Sequence, residues 1–223
     1  MKCIITITLV LLLFSCSEQL APTVISILED QTEEHISRYN PSEVTTGLKI
    51  DENLWEGYVF RYQALSGSDY NPITEVKLEA EYELLGNIIE REEKVTQFKS
   101  AIENCQRMTK EEHQFSSIFL PLVVEIDYIH THYPNAKTTL VLFSDLKDHN
   151  DWMSWYNKKT KNDKRTFEQY MAHLPKLPEG NTIELRIIYN PTPQENKQFR
   201  EIVSLYESLC KQMHIHLSVG ASI

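Results

Sequence analysis

Two nearly unbroken apolar runs, TVISILED at 23–30 and TTLVLFSD at 138–145, constrain this chain more than any other feature. Neither alternates polar with apolar residues, so neither reads as a strand with one face in water; both read as central strands covered on both faces. Strands are expected at 23–28, 58–65, 73–84, 138–145, 182–189 and 214–220, and helices at 31–39, 89–108, 116–131, 151–172 and 194–212. That alternation implies an α/β fold: a doubly wound, mostly parallel sheet with helices on both faces. One strand breaks the rule. Only SGSDYNPI separates the second strand from the third, enough for a hairpin but too short for a parallel crossover, so the third strand is expected to run antiparallel.

Both apolar runs end in acid. The first passes straight into Glu29, Asp30, Thr32, Glu33 and Glu34, and the fourth strand ends in Ser144 and Asp145 within FSDLKDHND. With the strand order 3-2-1-4-5-6, these two ends flank the crevice where a doubly wound sheet reverses direction and binds its ligands. Hydroxyls and carboxylates meeting there form a hard oxygen set, suited to Mg²⁺, Mn²⁺ or Ca²⁺ rather than to zinc.

The N-terminus belongs to a different task. Lys2 precedes CIITITLVLLLF, too short for a mature membrane span and placed like the apolar part of an export signal. It ends in LLFSC, which resembles the lipobox of bacterial lipoproteins and implies cleavage before a lipid-modified Cys16. The expected organisation is a signal peptide at 1–15, a lipidated tether at 16–21 and one domain at 22–223, held at a bacterial envelope membrane on its periplasmic or outer side.

The chain has 22 basic against 32 acidic residues, a net charge of −10, which argues against nucleic acid as a partner. The basic run KKTKNDKR at 158–165 reads as a solvated face. Cys105 and Cys210 fall in expected helices, and pairing and two separate buried thiols remain equally open. His214 and His216 are expected on one exposed strand face, and HTH at 130–132 closes a helix whose dipole favours imidazolium. Trp152, Trp155 and Tyr156 are expected on a helix beside the crevice, as packing residues or a partner surface.

An aliphatic strand ending in Asp-x-Thr, a helix preceded by hydroxyls in FSSIFLPL, and an aliphatic strand ending in Ser-Asp together resemble a von Willebrand factor A-type domain, over roughly residues 22–220. The resemblance implies a metal-ion-dependent adhesion site in which Asp30 and Thr32 match the first loop, Ser116 or Ser117 the second, and Asp145 the third. Glu34 stands where that family has a second Ser, adding a charge and a longer side chain. The implied function is a membrane-tethered, protein-binding module that is not an enzyme. A metal-free structural lipoprotein of an envelope or transfer apparatus is the alternative. A metal-dependent phosphoesterase is less favoured, because the dehalogenase type needs a second Asp where Thr32 stands and the chain has only 6 Gly for phosphate loops.

Overall fold

The computed structural model describes residues 21–32, 36–65, 71–106, 116–150, 153–156, 163–172 and 182–222; Cys16, Glu33, Glu34 and Trp152 lie outside them. Six strands form one sheet in the order β3-β2-β1-β4-β5-β6. They are β1 (Thr23–Asp30), β2 (Tyr58–Leu65), β3 (Ile73–Leu78), β4 (Lys137–Phe143), β5 (Ile183–Ile188) and β6 (His216–Gly220). Every neighbouring pair is parallel except β2 and β3, which pair antiparallel with Tyr58 opposite Leu78. The short connection before β3 therefore makes the hairpin its length demands.

β1 is hydrogen-bonded on both sides, to β2 and β4, and its residues from Val24 to Asp30 are all buried. Helices cover each face. On one, the Tyr39 ring packs at a tilt against Phe60 and Tyr62 and its hydroxyl donates to the carbonyl of Ile102, while Phe98 lies beside Tyr58. These contacts place α2 (Ile88–Gln106) there, with the short α1 (Pro41–Gly47) against it. On the other face lie α3 (Phe119–His132) and α5 (Asn196–Gln212), joined through the rings of Phe119 and Tyr206, with Phe167 of α4 (Asp163–Met171) between them.

A buried ion network pins α3 to the sheet. Arg61 of β2 donates from Nε and Nη2 to the two carboxylate oxygens of Glu125, at 2.6 and 2.9 Å, and also pairs with Glu75 of β3. Ser26 of β1 donates to Glu125 at 2.7 Å, and the Arg61 guanidinium lies 3.8 Å from the Tyr128 ring centre. Burial works against the Arg61 charge, but the two carboxylates hold its pKa above the ordinary arginine value. Burial likewise opposes the charge of Glu75, which Lys77 and Arg61 outweigh, so its pKa is lowered.

Four expectations need correction. Residues 36–40 are not helical; the helix starts instead at Pro41, capped by the Asn40 side chain on the Ser42 N–H. Proline disfavours helical backbone in the residue before it and suits a first helical position, so the start belongs here. β3 stops at Leu78 because its partner β2 begins at Tyr58, leaving 79–84 without a strand to pair with. Residues 153–156 are not helical either, since Ser154 bridges to His149. His214 precedes β6 in a turn at φ 54°, so it does not share a strand face with His216. Cys105 and Cys210 are two separate, buried, free thiols.

Candidate functional site

The crevice lies beyond the C-terminal ends of β1 and β4. Asp30, 3% exposed, uses both carboxylate oxygens: Oδ1 accepts from the Thr32 N–H and hydroxyl at 3.0 and 2.6 Å, and Oδ2 accepts from the Ser144 hydroxyl at 3.0 Å. Strand alternation sends Glu29 to the opposite face, where it pairs with Arg38 at 3.4 Å. Of the acidic clump after β1, Asp30 and Thr32 thus enter the crevice, Glu29 does not, and Glu33 and Glu34 fall outside the described residues.

The turn after β4 is wound tightly. Ser144 Oγ accepts from the Leu146 N–H and Asp145 Oδ1 from the Lys147 N–H, each at 2.9 Å, with Leu146 at φ 65°. A leucine is strained in that region; its fully buried side chain holds it there. The turn directs Lys147 back over its own loop, with Nζ 2.7 Å from Asp145 Oδ2 and 3.1 Å from Glu195 Oε1. Burial works against that ammonium, but the two acids hold its pKa above the ordinary lysine value. Thr192 and Lys147 hold Glu195 at about 2.

A third acid, Asp148, joins the pair expected from the sequence. It is 0% exposed. Its Oδ1 accepts from the backbone N–H groups of Ile118 and Phe119 at 2.8 and 3.2 Å, capping α3 from a distant loop, because Ile118 has no side chain able to do so. Its Oδ2 has no hydrogen-bond partner among the described residues, and neither do the buried hydroxyls of Ser116, Ser117 and Tyr206. Burial, with help from Asp30 and Asp145, pushes the Asp148 pKa up to about 7. Asp30 rises to about 6, chiefly by burial and partly through Asp145. Burial raises Tyr206, which faces the same acids, well above its ordinary value.

The structure therefore gathers Asp30, Thr32 and Asp145 around one loop pair. The segment carrying Ser116 and Ser117 is tied to that loop by the reciprocal backbone bonds of Ser116 with His149 and by Asp148. Sequence reasoning missed Asp148, Lys147 and Glu195. Tyr156 sits at the rim, its ring 5.5 Å from Lys147 Nζ and 5.6 Å from the His149 ring. Among the described residues no three His, Cys, Asp or Glu side chains converge closely enough to hold a metal by themselves. A cation here would need the hydroxyls.

No family model and no curated protein matches the chain. Among solved structures, it is similar to a conserved hypothetical protein, BatB from Bacteroides thetaiotaomicron, at 7% identity over 90% of each chain, with a TM-score of 0.37.

Proposed function

We propose that the chain is a protein-binding module of the von Willebrand factor A type, tethered to an envelope membrane through lipid on Cys16, whose crevice takes a divalent cation. The observation behind this reading is an imbalance of buried charge. Among the described residues, Asp30, Asp145 and Asp148 share the crevice with the ammonium of Lys147, which is itself divided between Asp145 and Glu195. The raised values of Asp30 and Asp148 come chiefly from burial, to which the neighbouring acids add, and protons or a cation would offset the buried charge. The donors fit a hard cation: Asp30 and Asp148 would supply charge, and Ser116, Ser117 and Thr32 neutral oxygens. Asp145, committed to Lys147, would support the loop from behind. Such an ion would act as a Lewis acid, offering a partner's carboxylate a site of attachment.

Lys147 favours a second reading. An ammonium already seated between Asp145 and Glu195 does part of a metal's work, so a metal-free structural lipoprotein would use the same fold. Calorimetry on chelator-treated protein at pH 8, with Mg²⁺, Mn²⁺ and Ca²⁺, separates the two. Binding heat in wild type that Asp30→Ala and Asp148→Asn abolish supports the metal-using module. Identical traces in all three proteins would leave the metal-free reading standing.

A further inference from the structure

The end of the sheet opposite the crevice carries an apolar platform that the crevice does not explain. Leu84 is 98% exposed and Leu85 86%; Tyr82, Ile88 and Ile89 are also exposed. Apolar side chains gathered within eight residues are uncommon on a surface that faces water alone.

This segment is held in place. The N–H groups of Leu85 and Gly86 both donate to the Tyr82 carbonyl. Gly86 lies so close to Trp55 that a Cβ added to it would fall 2.1 Å from the ring. Beneath, the fully buried Arg91 donates to the backbone carbonyls of Leu54, Glu79 and Glu56, at 2.6, 2.7 and 2.6 Å. One guanidinium thus ties the first turns of α2 to the loop before β2 and to the segment after β3. The leucines project from a fixed base.

The chain enters the fold at this same end. Thr23 bonds to the Gly57 carbonyl, and Ala21 and Pro22 line a cavity of about 380 Å³ together with Gly57, Glu79, Ala80 and His132. Leu84 lies four chain steps from Ala80, a reach of at most about 14 Å, and Ala21 five steps from Cys16, a reach of about 17 Å. A chain anchored at Cys16 therefore holds this end against the bilayer, and a folded partner some 30 Å across does not fit in the gap.

We infer that Tyr82, Leu84, Leu85, Ile88 and Ile89 form a membrane-contacting platform that seats the domain on lipid, with the crevice turned away from the bilayer. This rests on the reading of Cys16 as the anchor. The anchor supplies proximity and the platform supplies orientation, because a few apolar side chains add little affinity alone but act at high effective concentration once tethered. The exposed Glu79, Glu83, Glu90 and Glu93 around it suit uncharged or zwitterionic headgroups rather than anionic ones.

The test uses the full, processed chain in phosphatidylcholine vesicles containing spin-labelled lipid, with an environment-sensitive dye on Leu85→Cys or on Asn190→Cys at the crevice end. Cys105 and Cys210 are buried and do not compete for label. The dye at position 85 should shift to the blue and be quenched several-fold, and the dye at 190 should not change. If mass spectrometry shows Cys16 acylated but the two dyes behave alike, the platform is refuted and the anchor stands. If Cys16 carries no lipid, both fall. A dye at 85 exposed on pure vesicles yet shielded on native membranes would assign the surface to a protein instead.

Discussion

Two groups of buried carboxylates share one face of the sheet, starting only four residues apart along β1 at Ser26 and Asp30. Around Ser26, Glu125 is matched by the guanidinium of Arg61, which also reaches Glu75, and the charged forms of Arg61 and Glu75 are favoured. Around Asp30, acids outnumber the cation that faces them, and Asp30 and Asp148 are pushed towards the neutral form. Burial is similar in both. Matching is not, and this separates a cluster that fastens a helix from the one proposed as a cation site.

Breaking the matched cluster should have the largest effect. Arg61→Met leaves Glu125 buried without its counter-charge and should cost about 3–5 kcal/mol in urea unfolding. Adding Glu125→Leu should recover much of that loss, since removing both partners removes the unpaired charge. In the unmatched cluster the sign reverses. Asp148→Asn keeps the acceptor that caps α3 but removes the strained charge, and should stabilise the chelator-treated protein by about 2 kcal/mol at pH 8, from roughly 1.4 kcal/mol per pKa unit less the imperfect amide fit.

The pH dependence follows in the same direction. Asp30 and Asp148 have folded-state pKa values of about 6 and 7 against 3.8 for the free side chain. The folded protein binds these protons more tightly than the unfolded chain, so their stabilisation is full below the unfolded value and disappears as pH rises through 6 and 7. Chelator-treated wild type should lose stability between pH 5 and pH 8, and Asp148→Asn should flatten that slope. A flat wild-type profile would remove the distinction between the clusters. The smallest effect is expected from metal: at ten times its dissociation constant, Mg²⁺ or Ca²⁺ should stabilise wild type at pH 8 by about 1.4 kcal/mol, and Asp148→Asn should not respond.

Much of the fold was legible because β1 and β4 carry continuous apolar runs and the connection before β3 is too short for a crossover. The sequence reading of the site reached Asp30, Thr32 and Asp145, which follow directly from strands. Asp148 lay within the same acidic loop, but its burial depends on the start of α3. There the sequence pattern starts a helix at Ser116, whereas the helix begins at Phe119 with Ile118 in the cap position, and an acid 30 residues after Ile118 completes it. Nothing in FSDLKDHND shows which acid will do so. The helix expected over 151–172 is present only as α4 at Asp163–Met171, and 153–156 is not helical for a similar reason: the bridge between Ser154 and His149 uses backbone groups that side-chain periodicity does not report.

The reversal of β3 opens a second rim on the molecule. In a sheet whose strands all run one way, every passage from strand into helix opens at the same end, and everything built on such passages competes for one rim. Turning one strand around carries its exit to the far side, so that the passage from Leu78 into α2 emerges beside Ala21 rather than beside Asp30. The proposed cation site and the proposed lipid platform thus lie a full strand length apart.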